Sequence, residues 1–261
     1  METVALRVLH LTDIHLFADP AARWGQAHPA SALEAVLDAI EADAWRPDLC
    51  LVTGDLSEDG SVASYEQVRD ALAVLGLPVY VVPGNHDAAD AMRRVFADGP
   101  VRWSRSFEAG AWRIIALDSQ LKGEARGRLG VDELAALEST LRSGDARPTL
   151  VMLHHPVAAV CPMPSCQLDD AAAFFAITQR FPNVRVAVSG HVHCADDRSA
   201  HGVRSLVTPS TCLQAEHPTL APVGEEPPFL EVHAISAARR GYRRLDLFPD
   251  GSIETEVKWV G

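Results

Sequence analysis

The chain has 261 residues, 48% of them hydrophobic and 22% charged, which is typical of a globular protein with a large core. Its formal net charge of −12 argues against a nucleic acid polymer as partner, because Lys and Arg supply most of the affinity for a phosphate backbone. No apolar run approaches the length of a membrane span, and the first ten residues lack the features of a signal peptide. These properties favour a small-molecule substrate as the partner, and they leave a homodimer open.

The five cysteines are odd in number and scattered, at positions 50, 161, 166, 194 and 212. This usage favours reduced thiols over a disulfide framework, and it predicts a cytoplasmic protein. Cys161 and Cys166 stand close together in the sequence CPMPSC. We expect both to be ordinary thiols of a loop, with a disulfide or a metal site as the alternatives for this pair.

Short β-type runs alternate with helical patterns along the first two thirds of the chain. Hydrophobic residues at helical spacing predict helices over 29–45, 62–75, 131–142 and 169–180, and Pro29 suits the first turn of a helix. The predicted strands span 5–12, 49–53, 78–82, 112–117, 149–153 and 184–189. Strands that alternate with helices in this way indicate a layered α/β core.

Beyond residue 202 the pattern changes to short strands separated by Pro and Gly. The sequence Pro-Asp-Gly at 249–251 lies between the alternating runs 243–248 and 252–258, and it predicts a β-hairpin. No internal repeat, low-complexity tract or linker divides the sequence. We therefore expect a single domain over residues 1–261, with a β-rich C-terminal part from about 202.

Polar residues of a restricted kind follow five of the predicted strands. The sequences are Thr12-Asp13-Ile14-His15, Gly54-Asp55, Gly84-Asn85-His86-Asp87, His154-His155-Pro156 and Gly190-His191-Val192-His193. Functional groups of open α/β sheets gather at the carboxyl ends of the strands, so these side chains are expected to converge. Each sequence alone is a weak signal, because a histidine in an apolar run is usually a core residue. All five in order predict a functional site.

Carboxylate, amide and imidazole groups without thiolates suit Mn²⁺, Fe²⁺ or Zn²⁺. The set holds two carboxylates, one amide oxygen and four or five imidazoles, which is more than a single ion needs. It fits two divalent ions about 3.5–4 Å apart that share one carboxylate, an arrangement that serves phosphoryl transfer. Two such ions would also supply the positive charge that an acidic protein needs to bind a phosphate ester.

In this order, the five motifs resemble those of the calcineurin-like metallophosphoesterases over residues 11 to 193. The resemblance implies a four-layer αββα sandwich, an α/β fold of mixed sheets flanked by helices, with a dinuclear metal site. One ion would be held by Asp13, His15, Asp55 and His193, and the other by Asp55, Asn85, His154 and His191. Fe and Mn are favoured over Zn. His155 would lie behind the ligands or pack in the core.

The resemblance also assigns roles within the sequence Asn85-His86-Asp87. Asn85 would be a neutral oxygen ligand, which adds no anion to a site that must accept a phosphate. His86 would be the catalytic acid that protonates the leaving oxygen, and Asn85, His86 and His193 would contact the substrate. Asp87 would either orient His86 or cap a helix over 88–96.

Several segments are similar to bacterial class III 3′,5′-cyclic AMP phosphodiesterases. They are LHLTDIHLFADP at 9–20, LVTPSTCLQ at 206–214 and GYRRLDLFPDGSIETEV at 241–257. This resemblance implies that water activated by the metal pair attacks the phosphorus of a 3′,5′-cyclic nucleotide, with cAMP favoured, and yields a 5′-nucleoside monophosphate. The segment 158–170, which should border the substrate pocket, matches these relatives poorly, and Val157 replaces a second proline.

Other functions remain open on the sequence. A different small phosphodiesterase of the superfamily would act on glycerophosphodiesters or 2′,3′-cyclic nucleotides, since the metals handle the phosphate and the pocket selects the rest. A non-catalytic scaffold is disfavoured because every expected ligand position is filled, and a nuclease is disfavoured by the net charge of −12. A purple acid phosphatase is disfavoured because Glu58 stands where that group has a metal-binding tyrosine.

Overall fold

The structure is a computed structural model that describes residues 4–143, 145–216 and 234–261. Its strands are β1 (Leu6–Leu11), β2 (Leu49–Thr53), β3 (Val79–Val82), β4 (Val101–Arg102), β5 (Ser106–Ala109), β6 (Trp112–Ala116), β7 (Thr149–Met152), β8 (Val184–Ser189), β9 (Asp196–Ala200), β10 (Val203–Val207), β11 (Gln214–Glu216), β12 (Ala234–Ser236), β13 (Arg240–Leu247) and β14 (Ile253–Val260). Its helices are α1 (Pro29–Ala42), α2 (Val62–Ala73), α3 (Ala89–Val95), α4 (Gly130–Ser143) and α5 (Ala171–Thr178), and a 3₁₀ turn covers Pro164–Cys166. None of these helices has the length and apolar character needed to cross a membrane.

Most of the strands form two mixed sheets of six strands each. The first has the order β14-β13-β1-β2-β3-β4, in which β1 to β4 run parallel and β13 and β14 are antiparallel to their neighbours. The second has the order β5-β6-β7-β8-β10-β9, in which β6, β7, β8 and β10 run parallel between two antiparallel edge strands. In each sheet, the parallel strands therefore end on the same side.

Three hydrophobic clusters separate four layers of secondary structure. Residues from both sheets, such as Leu51 of β2 and Leu150 of β7, form the cluster between the sheets. Another cluster packs α1, α2 and α3 onto the first sheet, and a third packs α4 and α5 onto the second. The order helix, sheet, sheet, helix confirms the predicted αββα sandwich.

The layers explain why the central strands have continuous hydrophobic sequences. The sequence LCLVT of β2 is buried at each of its five positions, and the four residues of β7 are likewise buried. A parallel strand that is covered on both faces needs apolar residues at successive positions. By contrast, β14 mixes exposed and half-buried positions at the edge of the first sheet, and polar and apolar residues are equally common in its sequence.

The predicted helices and strands are confirmed, with ends that shift by at most three residues. The sequence analysis missed β4, β5 and β9, because β4 has only two residues and the other two are largely exposed edge strands without a hydrophobic run. In the described residues after 202 the regular elements are all strands, whereas residues 217–233 of the predicted β-rich part lie outside the described ranges. The C-terminal strands are divided between the sheets, since β10 joins the second sheet and β13 and β14 join the first.

Candidate metal centre

The predicted ligands lie together at the carboxyl ends of parallel strands from both sheets. The first sheet supplies Asp13 and His15 after β1, Asp55 after β2, and Asn85 and His86 after β3. The second sheet supplies His154 after β7, and His191 and His193 after β8. Groups of three of their Asp and His side chains have ligand atoms within 4.8 Å of one another, so residues far apart in the chain converge at this edge.

Five of these residues have left-handed backbone conformations. Their φ angles are 54° at Asp13, 55° at His15, 51° at Asp55, 72° at His191 and 49° at His193. Such a conformation costs a non-glycine residue about 1–3 kcal/mol, and it persists only where the surroundings hold it. Among the other described non-glycine residues, positive φ occurs once, at His201 in the turn between β9 and β10. The strained backbone is thus concentrated where the polar side chains converge.

Hydrogen bonds between the loops hold this backbone in place. The Asp55 carbonyl accepts from the N–H of His15 at 2.9 Å, and Oδ1 of Asp55 accepts from the N–H of His86 at 2.9 Å. The two carboxylate oxygens of Asp13 lie 3.1 and 3.0 Å from the amide nitrogen of His191. The bonds to Asp55 join strand ends within the first sheet, and the contact between Asp13 and His191 joins the two sheets at the candidate centre.

Two glycines allow these loops to approach so closely. A Cβ atom at Gly84 would collide with the carboxylate of Asp55, and one at Gly190 would collide with the side chains of Thr12 and Asp13. Side chains larger than hydrogen at either position would therefore displace a predicted ligand.

Each of four histidines turns one ring nitrogen away from the centre toward an oxygen atom. The pairs are Nδ1 of His15 with Oε2 of Glu58 at 2.8 Å, Nδ1 of His154 with the Thr53 carbonyl at 2.7 Å, Nε2 of His191 with the Ser165 carbonyl at 2.8 Å, and Nδ1 of His193 with the Leu213 carbonyl at 3.0 Å. A ring nitrogen beside such an acceptor carries the proton, so the other nitrogen presents a lone pair. Metal-binding histidines in proteins are held in this way.

The inward nitrogens face one another in two pairs. Nε2 of His15 lies 3.2 Å from Nε2 of His193, which we call the first pair. Nε2 of His154 lies 3.2 Å from Nδ1 of His191, which we call the second pair. When the four rings are neutral, as metal ligation requires, lone pair faces lone pair in each case, and a cation bound by both nitrogens removes the repulsion. The donor set therefore fits one divalent ion at each pair.

An oxygen donor accompanies each pair, and Asp55 lies between the pairs. Oδ2 of Asp55 is 3.8 Å from Nε2 of His15 and 3.2 Å from Nε2 of His154. Beside the first pair, Oδ1 of Asp13 is 3.5 Å from Nε2 of His193. Beside the second pair, Oδ1 of Asn85 is 3.0 Å from Nε2 of His154. This placement supports the predicted ligand sets, with Asp55 shared.

The buried charges of the site perturb one another. Burial opposes the ionisation of Asp55, but the charges of His154 and His86 lower its pKa well below the usual value. Burial, together with the charge of Asp55, raises the pKa of Asp13 to about 6. Burial lowers the pKa of His154, yet the Asp55 charge outweighs this effect and raises it to about 9. Two carboxylates so close in a buried site need nearby positive charge to ionise together.

His86 lies at the accessible side of the site. Its side chain is 32% exposed, and its Nδ1 lies 3.0 Å from Oε2 of Glu58. Burial lowers the pKa of His86, but the charge of Asp55 and the hydrogen bond to Glu58 raise it to about 9. Because Glu58 accepts from Nδ1, a protonated His86 would deliver the proton of Nε2.

Glu58 is a residue of the site whose role the sequence analysis missed. Its Oε2 contacts both His15 and His86, so a single carboxylate orients a predicted ligand and the predicted acid. The sequence analysis used this residue only to disfavour a purple acid phosphatase. Its position three residues after Asp55 was the available signal, but it carries no strand-end motif of its own.

The predicted helix-capping role of Asp87 is wrong. Helix α3 begins after Ala88 without any side-chain cap. The Asp87 carboxylate instead accepts three backbone N–H bonds and one phenol O–H bond, from Leu56 at 3.2 Å, Ser57 at 3.1 Å, Gly84 at 2.9 Å and Tyr65 at 3.1 Å. It thereby joins the loops after β2 and β3. The alternative role, toward His86, is limited to a contribution of its charge to the raised pKa.

His155 is buried behind the candidate ligands. Its Nδ1 lies 2.8 Å from Oγ of Ser119, and its Nε2 lies 3.0 Å from the Ala125 carbonyl. Because both ring nitrogens have partners in the adjoining loop, His155 packs behind His154, in agreement with the expectation from the sequence.

The three predicted substrate contacts differ in accessibility. Asn85 and His86 are partly exposed, whereas His193 is only 2% exposed. His191 is also partly exposed. The centre is therefore open on the side of Asn85, His86 and His191, and substrate would approach from there.

The prediction of ordinary thiols at Cys161 and Cys166 is wrong. The 3₁₀ turn folds the loop back on itself, brings the two Cα atoms to 6.2 Å, and the sulfur atoms form a disulfide. The other three cysteines are free, as expected. The disulfide loop adjoins the candidate centre, since the Ser165 carbonyl within it accepts the hydrogen bond from His191.

Known proteins are similar to this chain in sequence and in fold. The sequence model of the calcineurin-like phosphoesterases matches residues 6–195, a range that contains every predicted ligand. A probable cyclic nucleotide phosphodiesterase of Synechococcus sp. is 34% identical over 261 residues, which cover 99% of this chain and 94% of that protein. The 3′,5′-cyclic adenosine monophosphate phosphodiesterase CpdA of Escherichia coli is 33% identical over 255 residues, which cover 97% of this chain and 89% of that protein.

A solved structure with the same fold is a dimetal phosphatase from Danio rerio. It is 15% identical, has a TM-score of 0.65, and the alignment covers 98% of this chain and 99% of that chain. This likeness establishes the fold, while the family match and the two relatives establish membership. The chain belongs to the calcineurin-like phosphoesterase family.

Proposed function

We propose that this protein is a dinuclear-metal phosphodiesterase that hydrolyses 3′,5′-cyclic nucleotides, with cAMP favoured, to 5′-nucleoside monophosphates. The proposal depends most on the first and second imidazole pairs. In each pair the inward nitrogens face each other at 3.2 Å, and the carboxylate of Asp55 lies between the two pairs. Relatives named as cyclic nucleotide phosphodiesterases cover nearly the whole chain, which supports the choice of substrate.

The donor set fits two divalent ions. Asp13, His15, Asp55 and His193 would hold one ion, and Asp55, Asn85, His154 and His191 would hold the other. Nitrogen and oxygen donors without thiolates favour Fe and Mn, with Zn as the alternative. When bound, the ions polarise the phosphoryl oxygens and lower the pKa of coordinated water to about 7.

Within this proposal, His86 is the catalytic acid. Water attacks the phosphorus in line with the 3′ ester oxygen, the P–O3′ bond breaks, and its electron pair stays on O3′. His86 transfers the proton of Nε2 to that oxygen, and the attacking water releases a proton to solvent. Without the proton the leaving group would be a strongly basic alkoxide, and acid assistance of this kind contributes roughly 10²–10⁴-fold to the rate.

Neighbouring residues prepare His86 and the phosphate site for this step. Glu58 holds Nδ1 of His86 at 3.0 Å, which leaves Nε2 to face the substrate. Asn85 offers an oxygen without a negative charge, so it does not repel the phosphate. Asn85, His86 and His193 are the proposed substrate contacts, and the first two lie on the accessible side.

A substrate panel tests the proposal. The full chain, loaded with Mn²⁺ and analysed for metal on the same sample, is assayed at matched concentrations of cAMP, cGMP, 2′,3′-cyclic AMP, glycerophosphocholine and bis(p-nitrophenyl) phosphate. We expect about two metal ions per chain, the highest kcat/KM with cAMP, and 5′-AMP as its product. A preference for 2′,3′-cyclic AMP or glycerophosphocholine would show that the protein is a different phosphodiesterase of the superfamily. No turnover of any substrate would indicate a non-catalytic scaffold.

The proposal retains further expectations from the sequence. They are a small-molecule substrate without a nucleic acid polymer, a single domain over 1–261 and a cytoplasmic location, and a homodimer is left open. Light scattering of the purified chain measures its assembly, limited proteolysis tests the single domain, and fractionation of cells that produce the chain tests the location. A filter-binding assay with duplex DNA should show no retention at low salt.

A further inference from the structure

Trp24, in the loop between β1 and α1, contacts three imidazoles of the candidate centre. Its indole stacks on the ring of His15, with centroids 4.0 Å apart and planes at 25°. The centroid of His193 is 5.3 Å away, and that of His86 is 5.9 Å away with the rings at 70°. Two backbone hydrogen bonds between Trp24 and Ala27, of 3.2 and 3.0 Å, fix the bend that places the indole there.

The accessibility of these rings shows which of them can meet a substrate. His15 and His193 are almost completely buried, whereas Trp24 and His86 are partly exposed. The surface that a substrate meets beside the proposed acid therefore includes the indole of Trp24.

We propose that Trp24 is a specificity-determining residue that contacts the ribose and the base of the cyclic nucleotide. This inference rests on the proposed function and deepens it. The leaving oxygen must reach Nε2 of His86, and the sugar carbon that bears this oxygen is one bond farther away. A sugar placed there, with its attached base, lies within reach of a ring only 5.9 Å from His86.

The chemistry of the indole suits this role. Tryptophan offers a flat apolar surface and a single N–H donor, and aromatic side chains bind all nucleobases by contact with their faces and edges. Such a contact accounts for a change of roughly 5- to 100-fold in affinity when the aromatic ring is lost. It strengthens binding of nucleotides over phosphodiesters that lack a base, without any change to the metal ligands.

Trp24 also covers His15, so the test must separate base binding from support of a ligand. Trp24→Phe keeps an aromatic ring over His15, and Trp24→Leu removes it. Trp259→Phe is the matched control, because Trp259 is 42% exposed and lies on β14, at the far edge of the first sheet. Each variant is checked for Mn²⁺ content and melting temperature before any assay.

The first measurement compares cAMP with methyl ribofuranoside 3,5-cyclic phosphate, which has the sugar and the cyclic phosphate but no base. For Trp24→Leu we expect KM for cAMP to rise about 5- to 100-fold, with kcat nearly unchanged, and a much smaller rise in KM for the abasic compound. Equal changes for the two substrates, or a loss confined to kcat, would show that Trp24 only supports His15 and would overturn the inference.

The second measurement does not depend on turnover. Binding of 5′-AMP should quench tryptophan emission in the parent chain and in Trp259→Phe, and the quench should disappear in Trp24→Phe. A quench that persists in Trp24→Phe would overturn the inference. If the parent chain fails to hydrolyse cAMP, the proposed function fails as well; if the parent is active and Trp24→Leu behaves like Trp259→Phe, the inference alone fails.

Discussion

Two of the buried polar groups in the described residues differ sharply, and only one of the two has the properties of a functional site. The candidate metal centre buries imidazoles at the ends of the strands, while His10 is buried within β1. Nε2 of His10 lies 2.8 Å from Oγ1 of Thr53, and its Nδ1 lies 2.6 Å from Oγ1 of Thr208. Thr208 in turn accepts a hydrogen bond from the buried Arg243 at 3.3 Å.

The two groups differ in the hydrogen-bond partners of their imidazole nitrogens. Both nitrogens of His10 have hydroxyl partners, which can donate or accept as required, so the group is complete without an ion. At the candidate centre, nitrogen faces nitrogen at 3.2 Å in both pairs, and the backbone there is left-handed. Burial of a histidine is therefore a poor sign of function. Ring nitrogens that face each other without a hydroxyl or carbonyl between them, next to left-handed backbone, are a much better sign.

The largest expected effect is that of Asp55→Ala. Asp55 lies between the two imidazole pairs, so its loss removes the shared ligand. We expect metal content and turnover to fall together, with a loss of turnover beyond the roughly 10²–10³-fold that follows removal of one stabilising donor. Metal analysis and the cAMP assay on the same sample measure both quantities.

His10→Gln is the control for that variant. Glutamine offers one donor and one acceptor to the two threonine hydroxyls, so we expect metal content and turnover close to those of the parent. A variant at His10 that loses metal as Asp55→Ala does would contradict the distinction between the two polar groups.

The next largest effect is expected for His86→Ala. His86 is exposed at the site but belongs to neither imidazole pair, so both ions should remain bound. We expect kcat for cAMP to fall by roughly 10²–10⁴-fold. The loss should be much smaller for bis(p-nitrophenyl) phosphate, because p-nitrophenolate leaves without a proton. Equal losses for both substrates, or loss of metal, would argue against the acid role.

Gly190→Ala tests whether the close approach of the loops is needed. The added Cβ would collide with Thr12 and Asp13, so the free energy of unfolding should fall by about 1–3 kcal/mol and the metal content should fall with it. Gly76→Ala is the control, since no atom lies within 4 Å of its added Cβ while its φ of 65° still disfavours alanine. That control should lose about 1–2 kcal/mol with full metal content, and loss of metal there would show a general effect of lowered stability.

The convergence of the candidate ligands was predictable from the sequence because each follows a buried strand. A hydrophobic run places the strand, parallel topology places its carboxyl end, and the second to fourth residues after the strand then lie at the common edge. Asp13, Asp55 and His154 are examples, and their positions depend on the order of the strands rather than on details of side-chain packing. The αββα layers follow from the same alternation of strands and helices.

The sequence did not predict the contacts between loops. Asp87 follows the same strand as Asn85, yet it caps backbone N–H groups of a neighbouring loop, a choice that depends on the distance between the loops. Trp24 reaches His15 from a loop without regular structure. The pairing of Cys161 with Cys166 depends on a 3₁₀ turn that hydrophobic periodicity does not reveal.

The smallest effect is the pH dependence that His10 contributes to stability. Burial, and then the charge of Arg243, lower the pKa of folded His10 from 6.5 to about 3. Below pH 6.5 the unfolded chain therefore binds a proton that the folded protein does not, so the free energy of unfolding falls as the pH falls. Between pH 7.5 and 5.5 this loss amounts to about 1.4 kcal/mol.

His10→Gln isolates this contribution from that of the other buried histidines. Those histidines titrate in both proteins, so the difference in slope between the parent and the variant belongs to His10. Urea unfolding at pH 7.5, 6.5 and 5.5 should show a shallower pH dependence for the variant, even if its stability at pH 7.5 is lower. Parallel slopes would mean that His10 takes up its proton over the same pH range in the folded protein as in the unfolded chain, which would contradict the lowered pKa of the buried ring.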